Sequence, residues 1–233
     1  MKAMTGGRMD INLLKKVPIF SLLDDGELEK IRKLCVTKHY EKDRIILIEE
    51  ESGNTLFIIQ EGRVKVSRMS DDGREVILTI LQKGDFFGEL SLLDGKARSA
   101  SVTAIENTEI LLLRRGDFMA LLEQYPQISI SLLKELAARI RKSDTQIKSL
   151  SLQDAMGRVA SALVMLAEDS GRIKKGEVVI PKIPLQQDLA NMAGTSRETI
   201  SRVFRCLEDD KLIIRNGRRI VIPDFQRFKK KYL

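Results

Sequence analysis

One short stretch of the sequence combines residue types that could bind a phosphate group. Gly88 permits close backbone approach, and residues 89–91 can open a helical turn whose free N–H groups attract anions. Arg98 offers a planar set of donors for two phosphate oxygens, and Ser99 adds a hydroxyl and an N–H. Glu89 then remains available to hold a hydroxyl group. Together these residues predict an anion site that suits a cyclic nucleotide.

A second segment, residues 184–207, has the pattern of two short helices joined by a glycine turn. Gly194 makes the turn, and Thr195 is the predicted cap of the second helix, with Glu198 completing a capping box. The apolar residues predicted to be buried are Ile200, Val203, Phe204 and Leu207. The predicted outward face consists of Arg197, Glu198, Ser201, Arg202 and Arg205. This pattern predicts a helix-turn-helix that binds DNA.

The outward side chains of this second helix match groups that base pairs present in the major groove. Arg197 and Arg202 can each span O6 and N7 of guanine, and Glu198 can accept from the amino group of cytosine. Gln187 and Ser196 are better placed for backbone phosphates, which position a protein without specifying sequence. The alternative for Glu198 is a capping role alone.

The segment that follows, residues 212–222, has the pattern of a β-hairpin. Asn216 and Gly217 form the predicted turn. Three arginines surround the tip, and Arg218 is predicted to contact phosphate, which makes the domain a winged helix-turn-helix. The basic residues 229–231 are interpreted as a solvated tail.

Short apolar runs separated by glycine turns dominate the region from residue 45 to residue 113. Strands are predicted over residues 45–48, 56–59, 64–66, 76–81, 102–104 and 110–113. Their spacing of about ten residues favours an all-β barrel or sandwich.

Before this region, Asp24 and Glu27 predict a capped amphipathic helix, with Cys35 as a buried residue after it.

A long helix is predicted from residue 125 to residue 150. Its apolar residues at steps of three and four are Leu133, Leu136, Ile140, Ile147 and Leu150. This heptad spacing predicts a coiled-coil homodimer. Ser143 interrupts the apolar stripe, which indicates a register role or a ligand contact. Residues 151–154 then break the helix and predict a hinge, with Asp154 as the cap of the next helix.

Charge is unevenly distributed along the 233 residues, whose net charge is +7. Residues 151–233 carry 16 Lys and Arg against 10 Asp and Glu, whereas residues 1–150 carry 24 against 23. A basic C-terminal part favours a polyanion partner, nucleic acid before membrane, and a solvated charged face is the alternative.

No apolar run approaches the roughly 20 residues of a membrane span, so a soluble protein is expected. Two distant cysteines favour a reducing cytosol, and residues 1–9 are interpreted as a tag or an extended start.

The anion site resembles the phosphate-binding cassette of cyclic-nucleotide-binding domains, most closely in the bacterial cyclic-AMP receptor protein family (Crp/Fnr). The matching residues are Gly88, Glu89, Leu90, Leu92, Leu93, Arg98, Ser99 and Ala100. The resemblance implies that Glu89 holds the ribose 2′-hydroxyl. It also implies that Arg98 and Ser99 hold the cyclic phosphate, together with the N–H groups of Gly88 and Glu89.

Two polar residues of the long helix acquire a role from the same resemblance. In the family, the positions that match Ser143 and Asp144 face the adenine base, one from each subunit. Ser143 retains a hydroxyl for the exocyclic amine, whereas Asp144 departs from the hydroxyl typical of the best-known member. The alternative is that both residues face solvent.

Residues 195–202 resemble the recognition helix of this family, which implies half-sites similar to TGTGA. The two resemblances imply an α+β fold: an N-terminal cyclic-nucleotide-binding β-roll (10–124), a dimerisation helix and hinge (125–153), and a C-terminal winged helix-turn-helix (154–233). They imply a cytoplasmic, homodimeric transcription regulator gated by cyclic AMP. RNA polymerase is a candidate partner for the loop at residues 171–177.

Other functions stay open at this point. A family member could bind DNA constitutively or sense another small molecule, and Asp144 is the main support for that alternative. A cyclic-nucleotide-binding protein acting through protein contacts is a further alternative from another class. No enzyme and no metal site are predicted, because the sequence has no nucleophile elbow, Walker loop or zinc-ligand spacing.

Overall fold

A computed structural model describes residues 11–174 and 176–232. The chain divides into two compact units, Met1–Ile140 and Arg141–Leu233. The opening residues 1–9, interpreted above as a tag or extended start, lie outside the described residues, as does Lys175 in the predicted loop 171–177.

The first unit begins with two helices, α1 (Ile11–Lys16) and α2 (Asp25–Leu34), separated by a 3-10 turn. The predicted capping box of α2 is confirmed: the Asp24 carboxylate accepts from the Glu27 N–H at 2.8 Å, and Glu27 accepts from the Asp24 N–H at 3.0 Å. Leu28 and Ile31 are fully buried in a core that also contains residues of the adjacent sheet. Amphipathic packing therefore anchors α2 to the strands, as its pattern predicts.

Two four-stranded antiparallel sheets follow and form the β-roll. Their strands are β1 (Val36–Tyr40), β2 (Ile45–Leu47), β3 (Thr55–Glu61), β4 (Arg63–Met69), β5 (Glu75–Gln82), β6 (Phe86–Phe87), β7 (Ser101–Ala104) and β8 (Thr108–Arg114). The strand orders are β1-β8-β3-β6 and β2-β7-β4-β5. The six strands predicted from the sequence are confirmed, while β1 and β6 were not predicted. Most of β1 is exposed and β6 has two residues, so neither leaves a clear apolar pattern.

Helix α3 (Glu89–Asp94) lies between β6 and β7 within the roll, whereas α4 (Arg115–Gln124) and α5 (Pro126–Leu152) follow β8 and lead to the C-terminal part. The short helical turn predicted after Gly88 is α3, and the long predicted helix is α5. Helix α4 was not predicted, and its Phe118 and Leu121 are buried in the same core as α2. The first helix after the strands therefore begins at Arg115, about ten residues before the predicted start at residue 125.

The second unit contains the end of α5 and a helix-turn-helix beside a four-stranded sheet. Its elements are α6 (Ala155–Ser170), β9 (Arg172–Lys174), β10 (Glu177–Ile180), α7 (Gln186–Ala193), α8 (Arg197–Asp209), β11 (Ile214–Asn216), β12 (Arg219–Ile222) and α9 (Phe225–Tyr232). The sheet has the order β11-β12-β10-β9. Part of the loop predicted at 171–177 is thus a strand paired with β10. The basic residues 229–231, predicted as a solvated tail, form the last turn of α9, in which Lys230 and Lys231 are exposed. Phe225 and Phe228 bury the other side of that helix.

The junction between α5 and α6 is tied to the C-terminal helix by one side chain. The amide oxygen of Gln153 accepts from the hydroxyls of Ser149, at 2.6 Å, and Ser161, at 2.8 Å. Its amide nitrogen donates to the Tyr232 carbonyl at 2.6 Å. Asp154 caps α6 as predicted, since its carboxylate accepts from the Gly157 N–H at 2.8 Å.

Arg158 links the same junction to the helix-turn-helix. Its guanidinium donates to the carbonyls of Gln153 at 3.0 Å, Ala193 at 2.9 Å and Gly194 at 3.2 Å. The last two carbonyls belong to the end of α7 and its turn, where backbone acceptors would otherwise lack helical partners. A single side chain therefore holds the helix-turn-helix turn against the start of α6.

Candidate functional site

The first part of the site is the loop between β6 and α3, which contains Gly88. Gly88 has a φ of 82°, in the left-handed region that glycine adopts without strain. A Cβ at this position would lie 2.8 Å from Nη1 of Arg98 and 3.2 Å from the Thr55 carbonyl. Close backbone approach, as the sequence predicted, is therefore a requirement of this position.

Arg98 lies inside the roll with 5% of its surface exposed. Its Nη1 donates to the Gly88 carbonyl at 2.7 Å and to the Ser91 hydroxyl at 2.6 Å. Its Nη2 donates to the Thr55 carbonyl at 2.9 Å, and the guanidinium carbon lies 5.6 Å from the centre of the Phe57 ring. These contacts fix the guanidinium between α3 and β3.

The Nε of Arg98 is a buried donor that has no hydrogen-bond partner. Among the described residues, the only other buried side-chain polar atom without a partner is Oε1 of Gln60. An unpaired buried donor costs about 1–3 kcal/mol, so an anionic acceptor at this place is favourable. Burial lowers the pKa of the Arg98 guanidinium, and the nearby Glu89 carboxylate acts in the opposite direction. The residues thus fit the phosphate of a cyclic nucleotide.

Glu89 is also buried, with 3% of its surface exposed, and its partner was not identified from the sequence. Nη1 of Arg139, on α5, lies 2.9 Å from Oε1 of Glu89, and Nη2 donates to the Phe86 carbonyl at 2.7 Å. The Arg139 guanidinium also lies over the Phe86 ring, 4.5 Å from its centre. The sequence pattern of α5 did not indicate that Arg139 pairs with Glu89. Arg139 and the exposed Arg141 are both arginines outside the apolar stripe, so periodicity alone does not tell them apart.

The remaining residues predicted to bind the nucleotide are exposed. Leu90 follows the buried Glu89, and Ser99 follows the buried Arg98. Ser143 and Asp144 are exposed on the part of α5 that belongs to the second unit. The structure therefore brings Gly88, Glu89 and Arg98 together, while base contacts from Ser143 and Asp144 stay a prediction.

Helix α5 carries an exposed apolar stripe. Leu133, Ile140 and Ile147 are 66%, 61% and 61% exposed. Leu150 is 40% exposed and also contacts Gly194, where an added Cβ would lie 3.0 Å from Cδ2 of Leu150. Leu136 is partly buried against the core of its own unit. Four of the five residues predicted for dimerisation are therefore exposed apolar residues.

The second part of the site is the helix-turn-helix formed by α7 and α8. The predicted faces of α8 are confirmed by burial, since its apolar stripe is inside and its charged side is exposed. The buried residues are Ile200, Val203, Phe204 and Leu207. The exposed residues are Arg197, Glu198, Ser201, Arg202 and Arg205. Gln187 and Ser196 are exposed beside them.

The cap of α8 differs from the prediction. Ser196 is the N-cap, and its hydroxyl accepts from the Thr199 N–H at 3.2 Å. Thr195 instead closes α7, because its N–H donates to the Ala190 carbonyl at 3.0 Å. The capping box between Thr195 and Glu198 was therefore wrong. The backbone N–H of Glu198, followed by the Ser196 hydroxyl, lowers the pKa of the Glu198 carboxyl.

The wing turn lies one residue later than predicted. Asn216 pairs with Arg219 in the ladder, so Gly217 and Arg218 are the central residues, and Gly217 has a φ of 59°. A positive φ at the first central residue alone is the signature of a type II′ turn, so the Asn-Gly turn was wrong. Nε of Arg218 donates to the Ile183 carbonyl at 2.8 Å, which fixes this side chain beside the start of α7.

Other kinds of site are not supported in the part of the chain that the structure describes. No group of three or more His, Cys, Asp or Glu residues is arranged to hold a metal there. No described helix combines the length and apolar character needed to cross a membrane. Burial, followed by the Asp117 carboxylate, raises the pKa of the Cys35 thiol to about 12, which makes it a poor nucleophile.

Comparisons with known proteins agree with both parts of the site. Residues 37–125 match the cyclic nucleotide-binding domain family, and residues 157–231 match the Crp-like helix-turn-helix domain family. The cyclic AMP receptor protein of Thermus thermophilus is 34% identical over 200 residues, which cover 86% of this chain and 89% of that relative. A CRP-like cAMP-activated global transcriptional regulator of Mycobacterium tuberculosis is 30% identical over 219 residues, covering 94% and 98%. The solved structure of a CooA mutant from Carboxydothermus hydrogenoformans has a TM-score of 0.75 and 26% identity, covering 88% and 90%.

Proposed function

Since this chain belongs to the cyclic AMP receptor protein (Crp/Fnr) family of DNA-binding transcription regulators, we propose that it is a homodimer whose DNA affinity is set by cyclic AMP. The observation that carries the proposal is the buried Arg98 guanidinium, whose unpaired Nε lies in the matched nucleotide-binding domain. DNA as the partner makes the cytoplasm the expected location. The proposal includes no catalytic role.

The effector would bind through its phosphate at Arg98 and its ribose hydroxyl at Glu89. Arg98 and Glu89 are both charged and buried, and hydrogen bonds to charged groups are stronger in a buried setting than in water. Ser99 and the N–H groups of Gly88 and Glu89 would complete the phosphate contacts. Cyclic AMP is the first candidate because the two curated relatives described above are named for it, and Asp144 leaves room for another base.

The DNA contacts would come from the exposed start of α8. Arg197, Glu198 and Arg202 would read base edges of TGTGA-like half-sites, while Gln187, Ser196 and Arg218 would position the backbone. Two half-sites read by two copies require centres about 34 Å apart, one helical turn of DNA. RNA polymerase is a further candidate partner, for the segment around residues 171–177.

Dimerisation would cover the apolar stripe of α5. A second copy of the same helix supplies a matching stripe, which is the arrangement of a parallel coiled coil. Cyclic AMP would act by binding more tightly to the DNA-competent arrangement of the dimer than to the other arrangement. The ratio of those two affinities sets the upper limit on how far cyclic AMP can change DNA binding.

The experiment that tests this proposal is fluorescence anisotropy of a palindromic duplex with two TGTGA half-sites, titrated with protein at fixed salt with and without cyclic AMP. We expect tighter binding with the nucleotide, and fixed salt is essential because phosphate contacts alone change affinity strongly. Equal, tight binding in both conditions would favour a constitutive or differently liganded regulator. No preference over a scrambled duplex would contradict the assignment of α8.

Replacing Arg197 by alanine separates base reading from a role through protein contacts. Loss of a bidentate guanine contact is expected to weaken specific binding by about 1–3 kcal/mol and to relax specificity at one base pair. The measurement is anisotropy on specific and scrambled duplexes, with Arg205→Ala, an exposed arginine further along α8, as the control. A protein that only sequesters the nucleotide would show no difference between the two variants.

A further inference from the structure

We propose that Gly53 is a positioning residue for the phosphate of the effector, because its missing side chain leaves the volume in which the Arg98 guanidinium lies. A Cβ at Gly53 would lie 1.9 Å from Nε, 2.1 Å from Cζ and 2.3 Å from Nη2 of Arg98. These separations are shorter than any non-bonded contact, so a methyl group and the guanidinium exclude each other. The inference rests on the proposed function, since Arg98 is the residue assigned to the phosphate.

Arg98 has little freedom to move away from an added side chain. Its guanidinium is buried and donates to Gly88, Ser91 and Thr55, so moving it breaks bonds to three separate acceptors. A buried acceptor that loses its donor is costly. A Cβ at Gly53 would therefore displace the guanidinium from its position, because Arg98 is not an exposed side chain that can turn away at little cost.

The backbone around Gly53 is also held close to Arg98. The Arg98 N–H donates to the Glu51 carbonyl at 2.8 Å, and the Glu50 N–H donates to the Arg98 carbonyl at 2.9 Å. This pair of bonds fixes the segment that precedes Gly53 against the residue whose side chain Gly53 contacts. Movement of the loop away from the guanidinium would therefore break the pair.

The requirement for glycine at this position is one of space and not of backbone conformation. The φ of Gly53 lies outside the left-handed region, whereas that of Gly88 lies within it. An alanine can therefore adopt the local backbone, and Gly53→Ala changes the occupied volume without adding strain of its own. Gly116→Ala is the matched control, because its Cβ would meet no atom within 4 Å and its φ is also ordinary.

The first measurement is the NMR signal of the Arg98 Nε–H group, assigned by its disappearance in Arg98→Lys. Without any nucleotide present, we expect the chemical shift of the Arg98 Nε–H group to change in Gly53→Ala and to stay the same in Gly116→Ala. An unchanged signal in Gly53→Ala overturns the proposal. Because this readout needs no ligand, it also distinguishes failure of the positioning role from failure of the proposed function, which would appear as wild-type protein that does not bind cyclic AMP.

The second measurement is cyclic AMP affinity by calorimetry. Gly53→Ala is expected to weaken binding about 10- to 100-fold, the loss that corresponds to one hydrogen bond of a charged group. Thermal unfolding of Gly53→Ala in the wild-type and Arg98→Lys backgrounds completes a double-mutant cycle. We expect a smaller destabilisation in the lysine background, and equal destabilisation in both would overturn the proposal even if nucleotide binding were too weak to measure.

Discussion

Replacing Ile140 by aspartate is expected to convert the proposed dimer into monomers and to weaken binding to a duplex with two half-sites by about 10²- to 10⁴-fold. Ile140 is 61% exposed on the apolar stripe of α5, so a partner helix would bury it. Aspartate would place two carboxylates in that interface, and unpaired buried charge is among the most costly substitutions. Loss of the linked second half-site removes the avidity that makes up most of the change.

The oligomeric state is measured by sedimentation velocity, and DNA binding by anisotropy with duplexes that carry one or two half-sites. Ala138→Asp is the matched control, because Ala138 is exposed on α5 away from the stripe. The control should remain dimeric. A dimeric Ile140→Asp protein with unchanged DNA affinity would place the interface elsewhere on the chain.

Replacing Arg98 by alanine is expected to abolish the response to cyclic AMP, and Arg98→Lys should weaken nucleotide binding by about 100-fold. Lysine keeps the charge but has no planar set of donors, so it cannot reproduce the contacts to Gly88, Ser91 and Thr55 while also holding a phosphate. Calorimetry with cyclic AMP measures the affinity, and thermal unfolding measures the accompanying loss of stability.

Arg68→Lys serves as the control, since Arg68 is an exposed arginine of the same unit that pairs with Glu49 at 2.6 Å. Its effect on nucleotide affinity and on unfolding should be small, because exposed ion pairs contribute little. Wild-type affinity in Arg98→Lys would exclude the guanidinium as the phosphate ligand, even though it is buried in the matched domain.

The parts of the fold that follow a regular period were predictable from the sequence. The strands with alternating or continuous apolar runs, the buried and exposed faces of α8, and the length of α5 all depend on spacing that the residues display directly. The elements that were missed have little periodic signal. Helix α4 lies between a strand and a proline-started helix, and β6 is only two residues long.

The clustering of candidate site residues could be predicted where those residues lie close together in the sequence, and not where a contact depends on a distant partner. Gly88, Glu89 and Arg98 were identified because a glycine, an acid and an arginine occur close together in the sequence. Arg139 is fifty residues from Glu89, so only the packing of α5 against the roll reveals that they pair. Gly53 lies between two predicted strands, and its proximity to Arg98 is not visible in the sequence because it depends on the bond pair that joins residues 50–51 to residue 98.

The charged residues of the proposed nucleotide site have partners within the protein itself. Glu89 pairs with Arg139, and Arg98, apart from its Nε, is satisfied by α3 and β3. The protein itself therefore supplies an ion pair for Glu89 and hydrogen-bond acceptors for both Nη groups of Arg98. A substitution at an exposed neighbour such as Leu90 or Ser99 would leave these bonds in place, so the sequence beside the buried pair can vary without loss of the bonds that hold Glu89 and Arg98.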